Sequence, residues 1–355
     1  MRHVAGIVAA TVVVSTALTL RFVGVAAEQT APSPSAAAAT MRIDVVHTGG
    51  RGAEIFAVDR IVIEPLPWPG HPARAVDTSN AGAWRFELRE PGGRLLYSRG
   101  YSSIFGEWVT TAEAASTHRS FHESLRFPLP TAPVRVIVQR RNAAQAFETA
   151  WETQVDPADA FIDRALPPPQ HLIALEEHGA PADKVDLLLL GDGYTAGECG
   201  TTFTADARRM IDALFRHEPF RTRRADFNVW GLCPPSAQSG VSRPSNGVYR
   251  RTPVGATYDA FGLERYVLTF DNRALRDVAA WAPYEFMTIL VNAETTAAAG
   301  SSARSRPWPR TATGRRITCS STSSPIISPG SPTSTTPRRS PTSPRRGSSS
   351  PGSPT

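Results

Sequence analysis

Val185-Asp186-Leu187-Leu188-Leu189-Leu190, closed by Gly191-Asp192-Gly193-Tyr194, is the stretch that decides the fold. A nearly continuous apolar run of this length reads as a strand buried on both faces, the habit of a parallel sheet covered by helices. Downstream, Met210, Ile211, Leu214 and Phe215 share one face of a helix. Phe227 to Leu232 is a second strand, Leu275 and Val278 mark a second helix, and Phe286 to Val291 is a third buried strand. This alternation predicts an α/β domain with a largely parallel sheet over 183–294.

Upstream the period changes to two. Ile43, Val45 and His47 alternate with polar neighbours, Ile55 to Ile63 is strand-like, and Trp84-Arg85-Phe86-Glu87-Leu88 alternates large apolar with charged side chains. Pro91-Gly92-Gly93 turns the chain into Leu95-Leu96-Tyr97, and Val134, Val136 and Val138 precede a strand from Phe147 to Thr153. Region 41–155 therefore reads as an antiparallel β-sandwich, which makes the chain α+β overall. Residues 156–182, with Pro167-Pro168-Pro169, read as an interdomain linker. Residues 28–40 are low-complexity.

The N-terminus sets an expected compartment. Arg2 and His3 precede an apolar stretch from Val4 to Leu20, and Val25 and Ala27 stand at the −3 and −1 positions before Glu28. Residues 1–27 read as a secretory signal, so the mature chain is expected to be secreted or periplasmic, with no stable membrane insertion after cleavage. The net charge of +6 over 355 residues comes from the tail: nine arginines and no acid follow residue 300, and the rest carries −3. A nucleic-acid partner is therefore not expected. Three cysteines are too few for a disulfide framework. Cys199 and Cys233 either pair in an oxidising compartment or stand as separate thiols, and no C-x-x-C zinc site exists.

Candidate chemistry is sparse. His118 and His122 stand four apart, but Arg119 occupies the place of a catalytic Glu and the pair falls in the β-rich region. Asp192, Gly193 and Tyr194 end a buried strand ahead of a helix, where ligands of α/β sheets bind, although tight-turn and capping roles also suit them. Ser242, in Ser239-Gly240-Val241-Ser242, lacks the flanking glycines of a nucleophile elbow. These four are the candidate cleft residues. No catalytic or metal-ligating residue is assigned.

Several phrases resemble the secreted IgA-peptidase-like family of zinc metallopeptidases, metallopeptidase family sixty-four. They are Ile61-Val62-Ile63-Glu64-Pro65-Leu66-Pro67-Trp68-Pro69-Gly70, Tyr101-Ser102-Ser103-Ile104-Phe105-Gly106-Glu107-Trp108, Leu189-Leu190-Gly191-Asp192-Gly193-Tyr194-Thr195, Ser239-Gly240-Val241-Ser242-Arg243-Pro244 and Leu290-Val291-Asn292. The resemblance implies a β-rich N-terminal domain, an α/β zincin-like peptidase domain, a protein or peptide substrate, and a His-Glu-x-x-His helix holding Zn²⁺. Here the peptidase domain is incomplete: no His follows His217 and no acid follows Glu294. No cofactor is expected in this chain, although the intact family uses zinc. The alternative is a non-enzymatic exported β-sandwich that binds glycan or protein surfaces through aromatics such as Trp68, Tyr101 and Trp108; burial in a core is the other use of these rings.

Segment 295–355 is composed of Ser, Thr, Pro, Arg, Gly, Ala and little else, so it is expected to be disordered. It also carries a coding signal. Reading the third base of each codon with the first two of the next, Thr318 permits His and Cys319 permits Val. Continued through Pro337, the permitted string is HVFVHEFAHHFAGLADEYYT. The first base of each hidden codon is free, but the other two are largely fixed by the written residues, and they fit the family's zinc motif in order. The tail thus reads as a one-base slip near Thr295, with a genuine low-complexity tail as the alternative.

Overall fold

The computed structural model describes residues 38–264, 266–293 and the backbone of 317–318. The expected signal and most of the 28–40 linker and of the tail lie outside them. Strands β1 (Ala39–Gly50), β2 (Ala53–Pro67), β3 (Trp84–Arg89), β4 (Leu95–Tyr101), β5 (Arg119–Pro128), β6 (Val134–Arg141) and β7 (Phe147–Val155), with the short helix α1 (Ile104–Trp108), build the first half. They form two antiparallel sheets, ordered β2-β1-β5 and β4-β3-β6-β7, that share one apolar core. Strand β5 was not apparent in the sequence. His118 and His122 lie there on or beside extended backbone, both exposed, and four residues of strand separate them by about 13 Å, too far to share one ion.

Strand β1 is buried along both faces, and its period of two gives the faces opposite chemistry. Met41, Ile43 and Val45 enter the apolar core with Leu125 and Phe127 of β5. Arg42 and Asp44, with Ser124 and Arg126, face the other way and are also buried. They meet the second half of the chain. Trp108 and Tyr101 are core residues, 0% and 2% exposed, and Trp68 packs edge-on to Tyr97, so the aromatics of the binding-module reading form no exposed platform.

The second half contains β8 (Leu172–Glu176), β9 (Val185–Asp192), helix α2 (Ala196–Glu198) running through a π-helical turn (Cys199–Phe203) into α3 (Thr204–Leu214), β10 (Phe227–Leu232), the two-residue strands β11 (Ala256–Thr257) and β12 (Leu268–Thr269), α4 (Asn272–Ala279), β13 (Phe286–Val291) and β14 (Ile317–Thr318). The main sheet is ordered β14-β13-β9-β10-β8, with β13, β9 and β10 parallel. Leu189 packs with Phe203, Ala207, Met210 and Ile211 on one face, while Leu188 and Leu190 pack with Leu275, Ala279 and the 241–268 segment on the other.

One expectation changes. Residues 172–176, expected within the linker, form an antiparallel edge strand on β10. The tail expected to be disordered lies outside the described residues except at Ile317–Thr318, whose backbone pairs with β13. Cys199 and Cys233 are bridged, with Cα atoms 5.7 Å apart, which ties the π-helical turn to the end of β10. Closing a loop of this length stabilises the fold by about 3–4 kcal/mol in a chain-entropy account.

The two halves meet through charge. Arg42, fully buried, contacts Asp44 at 3.0 Å, Glu64 at 3.1 Å and Asp277 of α4 at 2.6 Å. Arg60 adds bonds to Asp44 and Asp277, each at 2.7 Å. Arg126 pairs with Glu64 at 2.7 Å, donates to the Tyr284 carbonyl at 3.1 Å, and lies 3.8 Å from the centre of the Tyr284 ring. Asn272 Nδ2 donates to Ser124 Oγ at 2.7 Å.

Replacing Arg42 with Met leaves Asp44 and Glu64 buried without their shared cation, and is expected to cost about 3–5 kcal/mol in urea unfolding. Arg273→Ala, which removes a half-exposed pair with Asp59, should cost under about 1 kcal/mol. A second substitution should have the opposite sign. Asp186, fully buried, accepts from Trp230 Nε1 at 2.7 Å and Asn228 Nδ2 at 3.0 Å, but its Oδ2 has no hydrogen-bond partner among the described residues. Burial outweighs these bonds and pushes its carboxyl up to about 6. Between about pH 4 and 6 the native state holds a proton that the unfolded chain has released, so stability falls across that window and stays low above it. Asp186→Asn should remove this dependence and raise stability at pH 7 by on the order of 1–3 kcal/mol, measured by denaturation across pH 4–8.

Candidate functional site

Ligands of open α/β sheets bind beyond the carboxyl ends of the parallel strands. Here those ends are Asp192 on β9 and Val291 on β13, and the residues immediately past them are held by one polar network.

Asp192 is fully buried. Its carboxylate accepts from Thr252 Oγ1 at 2.7 Å, Ala256 N at 2.9 Å and Val254 N at 3.3 Å. Burial raises its pKa, against the pull of these bonds. Both oxygens are spent on fastening the 252–256 loop to the strand end, so Asp192 anchors the rim rather than presenting an acid to a cleft. Gly193 has φ +80, and a Cβ there would lie 2.7 Å from the Gly240 carbonyl. The close approach is used: Gly240 N donates to Gly193 O at 2.8 Å.

Tyr194 is 1% exposed, donates its hydroxyl to Asp206 at 2.8 Å, and packs edge-on to Phe203. It belongs to the core under α3. Ser242 Oγ donates to Arg250 O and accepts from Arg250 N, both at 2.9 Å, which closes a loop. The structure therefore gathers Asp192 and Gly193 at the strand end, joins Ser242 to them through the 240–242 chain, and turns Tyr194 inward. None of the four presents a reactive group.

The network's working groups are Thr195, Glu198, Ser239 and Asn292. Asn292 Nδ2 donates to Gly193 O at 3.0 Å and to Ser239 Oγ at 2.9 Å. Ser239 Oγ donates to Glu198 Oε1 at 2.9 Å. Glu198 Oε2 accepts from Thr195 N at 2.8 Å and Thr195 Oγ1 at 2.9 Å, closing a capping box on α2. The Thr195 amide first, with the Ser239, Thr195 and Asn292 side chains, holds the Glu198 carboxyl down at about 2. An acid that strong stays ionised near neutrality and is unsuited to proton transfer there. The sequence reading passed over Glu198; the Thr195-x-x-Glu198 capping-box spacing is the signal that could have found it.

Two family models match the chain: IgA Peptidase M64 over residues 173–307, and Peptidase M64 N-terminus over residues 34–152. The chain belongs to the IgA peptidase M64 family. None of the curated proteins searched matches it.

Membership in a metallopeptidase family implies a metal, and the described residues do not fit one. Among the described residues no three of His, Cys, Asp and Glu come together in a way that would hold an ion. The two His-Glu steps, His122-Glu123 and His217-Glu218, carry Arg126 and Arg221 where a second histidine is needed. His122 lies on a strand, His178 Nδ1 lies 2.6 Å from the Phe227 carbonyl, and His71 caps a 3-10 turn. The peptidase match runs past Thr295 and ends at residue 307.

Asp192→Ala should free the 252–256 loop. A loss of about 2–4 kcal/mol is expected on denaturation, with early protease nicking between 250 and 258. Ser242→Ala should cost about 1 kcal/mol or less, because both of its partners sit on one exposed loop.

Proposed function

We propose that this chain derives from an exported zinc peptidase, one that hydrolyses peptide bonds in protein or peptide substrates, and that in the written frame it holds no catalytic metal and cleaves nothing. One observation carries the reading. Both halves match the M64 family, the match stops ahead of Ile317, and the shifted frame from Ile317 onward permits a His-Glu-x-x-His string in family order.

Export is supported by the charged, apolar and small-residue succession of 1–27, and by the Cys199–Cys233 bridge, which suits an oxidising compartment. No helix of the described residues is long and apolar enough to cross a membrane. The Asp192 clamp and the Glu198–Ser239–Asn292 network form a polar rim at the strand ends, where ligands of α/β sheets bind.

The test begins with resequencing the gene around the codon for Thr295. Two proteins are then purified, the chain as written and the chain with the frame restored by one base. Metal content is measured by mass spectrometry, and casein digestion is followed with and without a chelator. The restored chain is expected to hold about one zinc and to digest casein in a chelator-sensitive way, and the written chain to do neither. Stoichiometric zinc with chelator-sensitive proteolysis in the written chain overturns the proposal of inactivity. A confirmed written frame that encodes no such string overturns the slip.

A further inference from the structure

His47 sits at the end of the apolar face of β1 with none of its surface exposed. Its ring is stacked between Phe56 and Phe105, each centroid 4.0 Å away, with Trp84 edge-on at 5.8 Å. Each nitrogen meets a carboxylate: Nδ1 lies 2.9 Å from Glu123 Oε1 and Nε2 lies 3.0 Å from Glu54 Oε1.

The surrounding elements add donors to these acids, and Ser103 Oγ also lies 3.4 Å from His47 Nδ1. Trp84 Nε1 of β3 donates to Glu54 at 2.8 Å, and Arg140 of β6 pairs with the other Glu54 oxygen. Ser103, which caps α1, donates to Glu123. Tyr101 at the end of β4 stands in the field of both acids, and burial first, then Glu123 and Glu54, keep its phenol well above its ordinary range.

A neutral imidazole has one N–H donor and one acceptor. Between two carboxylates it would satisfy one and turn a lone pair toward the other, in a site closed to bulk solvent. An imidazolium donates to Glu123 and forms an ion pair with Glu54. We propose that the β-sheet half of the chain carries a proton-operated lock: its core closes around a protonated His47 and loosens when that proton is lost in alkaline solution. Burial opposes the charge, but the contacts to Glu123 and Glu54 outweigh it and leave the His47 pKa raised. Stability from this group is therefore complete below about pH 6.5, where the unfolded histidine is also protonated, and is lost as pH rises through the folded value.

The test uses the full chain. Denaturation at a series of pH values from 6 to 10 should show the folding constant falling by about tenfold per pH unit above about pH 6.5, until His47 releases its proton in the folded state. The Glu54→Gln/Glu123→Gln variant should lose this slope, because amides tolerate the neutral ring. On the wild-type chain, ¹⁵N-histidine spectra at pH 8 should show one imidazole protonated on both nitrogens. A folding constant that is flat from pH 6.5 to 9, an unchanged slope in the double variant, or histidines that are all neutral at pH 8 would overturn the lock.

Discussion

A guanidinium taken out of water must be surrounded by acids, and those around Arg42 come from both halves of the chain. Asp44 and Glu64 stand on the same sheet, whereas Asp277 stands on α4. This constraint fixes which face of the β2-β1-β5 sheet meets the peptidase-like half, and it sets the direction of α4. Through α4 it reaches the parallel sheet, because Leu275 and Ala279 of the same helix pack on Leu188 and Leu190 of β9. The ion cluster and the apolar core thus share one helix, polar on one side and apolar on the other.

The period of two in β1 was readable, but its meaning was only half readable. Ile43 and Val45 announce a buried face. Arg42 and Asp44, on the other, look like the solvated side of a half-buried strand. They are buried because a partner surface with complementary charge lies 235 residues away in the Arg42–Asp277 pair, and a single strand carries no mark of that distance. By contrast β9 was legible at once, since residues 187–190 are apolar on both faces and need no partner's chemistry to explain them. Strand β8 went unread because five residues after a proline run carry too little pattern to stand out from a linker.

The site shows the same limit. Asp192 and Gly193 were visible as a strand end, and they do anchor it. The group that joins the two strand ends, Glu198 with Ser239 and Asn292, draws on three separate segments, and polar residues in loops have no periodicity to align them. Only the local capping box left a trace. Reading acids as catalytic from position alone also misleads here. Asp192 has its oxygens fully engaged, and Glu198 is too strong an acid near neutrality, so the same donors that place each carboxylate remove it from proton transfer.

The parallel sheet is covered on both faces by residues that precede 294: α3 and its π-helical turn on one side, α4 and the 241–268 segment on the other. Among the described residues, the core of this half is built from segments before the point at which the proposed slip begins. A peptidase that builds its scaffold first and takes its metal ligands from a later segment separates folding from chemistry along the chain. On that reading a single-base slip between the two removes the water-activating centre and leaves the described hydrophobic clusters upstream of it in place. On the proposed reading, the family's fold persists in this chain because its apolar contacts and the Arg42 cluster are encoded upstream, while the activity depends on residues that the written frame does not supply.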